Sequence, residues 1–212
     1  DRALADYTEA IRLDPRDATN FNNRGIAYSD KGDNDRAIAD FTEAVRLNAN
    51  YANAFNNRGR AYDDKGDNDR AIADFSEAIR VDPKDADGFN SRGLAYRAQG
   101  DLDRAIADGT EAIRLAKAKA PTNIMTPPGS VLISAYSQRA LAYEANGDFD
   151  NAKKDYAAAL EGRASDAGSK ANQATAKVRL SLLSEAPAAT PPRNAITGLS
   201  RVGAAAKSTE SP

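Results

Sequence analysis

The side chains best suited to chemistry in this sequence are carboxylates, because histidine and cysteine are both absent. Their absence removes imidazole bases, thiolate nucleophiles, disulfides and the usual transition-metal ligands. The densest acidic run, DDKGDND at Asp63–Asp69, offers the oxygen ligands that calcium prefers. Its glycine lies between the acids, however, and no glutamate follows in the register of an EF-hand loop. We interpret the run as a turn and a helix cap, and we predict no metal site and no cofactor.

Catalysis by carboxylates alone, as in glycosidases, requires two acids that converge in a cleft and raise the pKa of one of them. The aspartates of this chain instead recur along its length, at positions that we expect to face solvent. The sequence therefore predicts a protein that is not an enzyme.

A second group of side chains able to form hydrogen bonds consists of amides that recur at a fixed spacing. Asn22 and Asn23 return as Asn56 and Asn57. The same two places are taken in later copies by Asn90 with Ser91 and by Ser137 with Gln138. An amide donates and accepts hydrogen bonds at once, so a row of amides can hold a peptide backbone of any sequence. The alternative interpretation is that these amides only solvate an exposed helix face.

The amides belong to a repeated unit that must position them. The stretch FNNRGIAYSDKGDNDRAIADFTEAVRL returns as FNNRGRAYDDKGDNDRAIADFSEAIRV, offset by 55 − 21 = 34 residues. Each copy has two apolar rows at helical spacing, with Gly25 allowing close approach of the second helix and Lys31–Asp33 forming the turn. Each unit is therefore predicted to be a helical hairpin that buries its apolar face against its neighbours.

The pattern of an aromatic residue, Gly-x-Ala-Tyr, Gly-Asp, Ala, aromatic, Ala and a closing Asp-Pro at this period resembles the tetratricopeptide repeat family. The resemblance covers about three quarters of the chain. It implies an all-α fold, a right-handed α-solenoid of antiparallel helix hairpins with a C-terminal capping helix, in a bacterial-type array. In that family the first helices line a concave groove that binds a protein or peptide segment.

The copies divide the chain into eight segments. They are the second helix of a truncated repeat at 1–17, repeats at 18–51, 52–85 and 86–119, a Pro-rich insertion at 120–132, a divergent repeat at 133–164, a capping helix at 165–186 and a disordered tail at 187–212. In the third repeat Gly109 replaces the aromatic residue of the second helix, which predicts a looser hairpin into which neighbouring side chains move. In the capping helix Ala171, Ala174, Val178 and Leu182 are expected to pack on the last hairpin.

The candidate binding residues follow from the differences between the first two copies. Their first helices differ only at Ile26 against Arg60 and Ser29 against Asp63, which are three residues apart and share one helical face. We expect this face to be free of packing constraints, and the resemblance assigns it to the groove. The predicted peptide-binding residues are Asn22, Asn23, Ile26, Asn56, Asn57, Arg60, Asp63, Asn90, Leu94, Arg97 and Leu141. The carboxylate clamp of some family members needs a basic residue after the first aromatic residue, where this chain has Asn or Ser.

Charged residues also recur between the two helices of each unit. Arginines at 24, 58, 92 and 139 accompany aspartates at 40, 74, 108 and 155. We predict one ion pair per hairpin that fixes the register. If exposed, each pair would contribute only ~0.2–1 kcal/mol.

The net charge of −2 predicts no general affinity for nucleic acid, and no apolar run is long enough to span a membrane. A cysteine-free chain is compatible with both cytoplasm and periplasm. The first residues match the second helix of a unit, so we expect the chain to begin at a fragment boundary. We predict a non-catalytic interaction scaffold. The alternatives are the regulatory or targeting arm of a larger enzyme, such as a protease, and a module that self-associates through its open N-terminal hairpin half.

Overall fold

The computed structural model describes residues 2–119 and 129–185, which contain ten helices and no strand. The helices are α1 Arg2–Leu13, α2 Ala18–Ser29, α3 Asn34–Leu47, α4 Ala52–Asp64, α5 Asn68–Val81, α6 Ala86–Gln99, α7 Leu102–Lys119, α8 Ser130–Ala145, α9 Phe149–Glu161 and α10 Ala167–Glu185. Helix α8 begins three residues before the predicted start of the fourth repeat. The rest of the predicted insertion and the predicted disordered tail lie outside the described residues.

The turn inside each hairpin has the same construction, which accounts for where the second helices begin. Its glycine adopts a positive φ of 76° to 83° in all four turns, a conformation that favours glycine. The aspartate that follows caps the next helix: Asp33 accepts a hydrogen bond from the backbone N–H of Arg36 at 3.1 Å, and Asp67 does the same for Arg70. The acidic run at Asp63–Asp69 thus forms a turn and a cap, as the sequence predicts.

In the first two full hairpins, the two helices approach closely where a glycine faces an aromatic ring. A Cβ atom on Gly25 would lie 2.6 Å from Cε1 of Phe41, and one on Gly59 would lie 2.7 Å from Cε1 of Phe75. Both rings are buried. The absence of these Cβ atoms therefore sets the distance between the helices, because a methyl group cannot share the space of a buried ring.

Gly109 stands where the first two hairpins have a phenylalanine, and its surroundings show what fills the space. The side chain of Arg139 from the next hairpin covers it, because a Cβ on Gly109 would lie 3.0 Å from Cβ of Arg139. Arg139 also pairs with Asp155 of its own hairpin, and the expectation that a neighbouring side chain moves in to compensate for the missing ring stays a prediction.

The hairpins stack in chain order, and one layer of helices lies on the inner side of the stack. The first helices of neighbouring hairpins touch each other, in the pairs α2 with α4, α4 with α6, and α6 with α8. Across the described residues, the second helices of neighbouring hairpins make no such contacts. The first helices therefore line the concave side of an α-solenoid, which confirms the predicted fold class.

Helix α10 packs against α8 and α9 at the C-terminal end, but with a different face from the predicted one. Ser169, Ala176 and Leu183 are its buried residues. Val178 and Leu182, expected to pack on the last hairpin, are 56% and 50% exposed. The prediction placed the apolar stripe inward because large apolar residues usually are buried. Here the packing face is formed by Ser169, Ala176 and Leu183, which recur every seven residues and of which two are small.

Within residues 2–119 and 129–185, every helix is too short or too polar to cross a lipid bilayer.

Candidate functional site

The concave side is held in place by a ladder of arginine and aspartate pairs that joins each hairpin to the one before it. Nε and Nη2 of Arg58 on α4 donate to the two carboxylate oxygens of Asp74 on α5, each at 2.7 Å. Nη1 of the same guanidinium donates to the hydroxyl of Thr42 on α3 at 3.2 Å. Arg58 therefore links its own helix, α4, to both α5 and α3.

The ladder has four rungs of the same geometry. The other rungs are Arg24 with Asp40 and Thr8, Arg92 with Asp108 and Ser76, and Arg139 with Asp155 and Thr110. The predicted pairing is confirmed, and its role in fixing the register stays a prediction. The expectation of exposed aspartates was wrong, because all four are buried, and they are buried because both helices of the hairpin and the preceding helix close over them.

The first amide of each predicted pair is buried between neighbouring first helices. Asn22 is only 4% exposed, and its Oδ1 accepts a hydrogen bond from Nδ2 of Asn57 at 3.0 Å. Asn56 donates to Asp85, the N-cap of α6, at 3.0 Å, and Asn90 donates to the hydroxyl of Ser134 on α8 at 3.1 Å. The expectation that this part of the face is free of packing constraints was wrong, since these amides join one hairpin to the next.

The accessible part of the groove lies beside these buried amides. Ile26 is 39% exposed and Arg60 is exposed, while Leu94 and Leu141 are half-buried. Asn23 is half-buried, and among the described residues its side chain bonds only to Asn22, whose Nδ2 donates to Oδ1 of Asn23 at 3.4 Å. The structure thus offers a strip along α2, α4, α6 and α8 in which apolar side chains lie beside polar ones.

Asp63 on α4 and Arg97 on α6 occupy equivalent places in neighbouring hairpins, one repeat period apart. Burial and the adjacent Asp64 raise the pKa of Asp63, while Arg97 acts in the opposite direction. Burial lowers the pKa of Arg97, and attraction by Tyr156 and Asp63 partly offsets it. Nη2 of Arg97 donates to the amide oxygen of Gln138 at 3.3 Å. Its Nε is buried without a hydrogen-bond partner among the described residues.

The groove continues onto α10, which the sequence reasoning did not include. Nη1 of Arg179 donates to Glu144 on α8 at 3.1 Å, and the hydroxyl of Tyr156 donates to the other oxygen of the same carboxylate at 2.7 Å. Burial and the neighbouring Glu144 raise the pKa of Tyr156. Glu144 is itself buried, and both of its oxygens are occupied by groups of the protein.

Arg179 also fixes which side of α10 lies next to the groove. Val178 and Leu182 are four residues apart and both exposed, so they share the side of α10 that does not pack on the last hairpin. In the sequence, an exposed apolar face and a buried packing face look the same, because both place large apolar residues four positions apart.

Four models of tetratricopeptide repeats match the chain. They match residues 6–39, 27–66, 56–123 and 133–163. Comparison with curated protein sequences gives no significant match.

Solved structures of repeat proteins have the same fold. The crystal structure of MamA is 27% identical, with a TM-score of 0.63 over 74% of this chain and 85% of the other. YrrB is 22% identical, with a TM-score of 0.60 over 81% and 82% of the two chains. TTC0263 of Thermus thermophilus is 23% identical, with a TM-score of 0.63 over 82% and 89%. The repeat period, the hairpin packing and these matches agree, and the chain belongs to the tetratricopeptide repeat family.

Proposed function

We propose that the concave face binds an extended segment of another protein or a peptide, and that the chain acts as an interaction scaffold rather than as an enzyme. The observation that carries the proposal is the strip of accessible side chains at Ile26, Arg60, Leu94 and Leu141, which lies beside a rigid row of buried amides. Apolar side chains can hold ligand side chains there, and polar ones can hold the ligand backbone.

Two solved repeat proteins support the proposal by analogy. YrrB is described as a tetratricopeptide repeat protein with an unusual peptide-binding site. The first repeat domain of RPAP3, 21% identical with a TM-score of 0.53 over 63% of this chain and 96% of the other, was solved with the HSP90 peptide SRMEEVD. This chain has Asn or Ser at the places where the clamp for such peptides needs basic residues, so we propose a different ligand. The enzyme-arm and self-association alternatives stay predictions from the sequence.

The ligand is best sought with a library of random peptides displayed on phage and selected on the purified protein. Affinities of the selected peptides are then measured for Ile26→Ala and Leu94→Ala. Each variant should bind about tenfold more weakly, since a large aliphatic side chain in a contact contributes roughly 1.5 kcal/mol or more.

Leu160 provides the matched control, because it is 36% exposed, close to the 39% of Ile26, but lies on α9, away from the concave side. Leu160→Ala should bind the peptides as the wild type does. If Ile26→Ala and Leu94→Ala also keep wild-type affinity, the groove is not the binding site.

The amide row is tested separately at Asn23, whose side chain bonds to the neighbouring Asn22 and to no other part of the chain that the structure describes. Asn23→Ala should weaken peptide binding with little loss of stability. Asn57→Ala is a less specific test, because it also removes the donor of the buried Oδ1 of Asn22 and should therefore cost about 1–3 kcal/mol of stability. Unchanged affinity in both variants would contradict a role for the amides in binding.

A further inference from the structure

Helix α10 carries an apolar stripe on the side that faces away from the array. Val178 and Leu182 are both at least half exposed, and the exposed Ala171 and Ala174 continue the row towards the start of the helix. Val178 lies about 160° around the helix from Ala176, the middle of the buried face. These four side chains, the α10 stripe, are therefore accessible over about three turns.

Polar contacts hold α10 in this orientation. Nη1 of Arg179 donates to the buried carboxylate of Glu144 at 3.1 Å. Nε2 of Gln173 donates to two backbone carbonyl oxygens at the C-terminal end of α9, at 2.9 Å and 2.6 Å. Rotating the helix to bury the α10 stripe would withdraw Arg179 and leave Glu144 buried without its counter-charge, which is costly. The outward stripe is therefore a stable feature of the fold.

The α10 stripe stands out from the rest of the surface that the structure describes. The other exposed large apolar side chains there are single ones on separate helices, at Leu13, Ile26 and Leu160. Isolated apolar side chains are normal on a protein surface, whereas a contiguous row of them marks a site of contact with another molecule.

We propose that the α10 stripe binds the same stripe of a second copy of this chain, with the two helices antiparallel and Val178 at the two-fold axis. Positions 174 and 182 are equally distant from 178, so Leu182 of each copy lies over Ala174 of the other. A large side chain then meets a small one on both sides of the axis, as close packing of helices requires. Because the contact is isologous, association stops at the dimer.

The charges beside the stripe favour the antiparallel direction. Lys170 and Glu185 are exposed and lie on the same flank of the stripe, and Ser181 donates to one oxygen of Glu185 at 2.8 Å. The two charges are about 22 Å apart along the helix, so they cannot pair within one copy. In the antiparallel dimer Lys170 of each copy lies opposite Glu185 of the other, whereas a parallel dimer would place like charges together.

This contact goes beyond the proposed function, because it lies on the side of α10 that faces away from α8 and α9. It also lies at the other end of the array from the open N-terminal hairpin half, for which self-association stays a prediction from the sequence. A dimer of this kind carries two grooves, so one particle could hold two ligand segments at once.

Single cysteines test the geometry directly, since the chain has none of its own. Val178→Cys should form a disulfide-linked dimer when oxidised, because the two Cα atoms nearest the axis come within the reach of a disulfide. Ala174→Cys and Leu182→Cys should each stay monomeric alone, since equal positions are about 12 Å apart along the axis, and should cross-link when mixed. Cross-linking of each variant with itself would show a parallel pair and overturn the proposal. Cross-linking of the control Leu13→Cys as readily as Val178→Cys would do the same.

The solution mass of the full chain gives a second readout. One pair of helices buries less surface than a standard interface, so we expect a weak dimer, monomeric at about 1 µM and mostly dimeric towards about 1 mM. Val178→Lys places two like charges at the axis and should stay monomeric throughout, while Leu13→Lys, at the opposite end of the array, should associate as the wild type does. A wild type that stays monomeric, a mass above that of the dimer, or lost association in Leu13→Lys would contradict the proposal.

Reversal of the flanking charges tests the direction of the helices. Lys170→Glu and Glu185→Lys should each weaken the dimer about fivefold at low salt, and the double variant should recover the wild-type association. Recovery can come only from the other copy, because the two residues are too far apart within one helix. A double variant as weak as the single ones would refute the antiparallel pairing. None of these measurements involves a peptide, so their failure would leave the proposed function untouched.

Discussion

Removal of Asp74 tests the idea that the arginine ladder stabilises the array. Asp74→Ala leaves Arg58, whose side chain is only 17% exposed, with the hydroxyl of Thr42 as its one remaining hydrogen-bond acceptor among the described residues. Breaking a buried pair by removing one partner costs about 3–5 kcal/mol, because the remaining charge is left desolvated and uncompensated. For an array of this size that loss corresponds to a Tm lowered by roughly 10 °C.

Glu77 on the same helix is the matched control. It pairs with Arg80 at 2.8 Å, but the two side chains are 47% and 59% exposed. Glu77→Ala should therefore cost less than about 1 kcal/mol. The double variant Arg58→Met with Asp74→Leu removes both buried charges and fills a similar volume, so it should recover most of the stability lost in Asp74→Ala.

The free energy of unfolding is measured in urea by circular dichroism. Because repeat arrays can unfold unit by unit, amide hydrogen exchange on α4 and α5 should accompany it and show the loss localised there. If the losses in free energy of unfolding of Asp74→Ala and Glu77→Ala differ by less than about 1 kcal/mol, burial does not raise the cost of breaking the pair. The ladder would then contribute no more to stability than exposed ion pairs do.

Two further predictions concern the hairpin itself. Gly59→Ala should destabilise the protein by about 1–3 kcal/mol, because the new Cβ would meet the buried ring of Phe75; equal or higher stability in urea would contradict the helix spacing described above. Hydrogen bonds from the side chain and the backbone N–H of Arg70 lower the pKa of Asp67. The stability that this carboxylate contributes is therefore fully present at a pH above the ordinary pKa of aspartate, and it is lost as the pH falls through the lowered pKa of Asp67. Melting curves recorded below about pH 4 should therefore depend less on pH in Asp67→Asn, and parallel curves for the two proteins would refute this.

The repeat period predicted most of the fold correctly because it combines many weak local signals. Gly25 and Phe41 return one period later as Gly59 and Phe75, and every turn has a glycine followed by an aspartate, as at Asp33. The hairpins, their caps and their stacking could therefore be inferred from one sequence. The ladder was also predictable in outline, since arginine and aspartate recur in every copy. Its burial was not predictable, because it arises when a third helix from the preceding hairpin closes over the pair.

The groove was predicted less completely. The differences between copies at Ile26 and Arg60 identified the accessible strip, because substitutions accumulate where packing does not constrain a side chain. The same reasoning placed Asn22 on an open face, whereas it is buried against Asn57 of the next hairpin. Contacts between residues 35 apart in sequence depend on how far neighbouring first helices approach, and a helical pattern within one copy contains no information on that distance.

By itself, the sequence determined the hairpins, their number and order, the turn chemistry and the lack of histidine and cysteine chemistry, because each follows from local composition and a period. Only the tertiary structure decided which face of α10 is buried and that Glu144 is paired with Arg179. These two facts depend on the distances between separate helices. Those distances are set by the packing of whole hairpins, which no single stretch of sequence specifies.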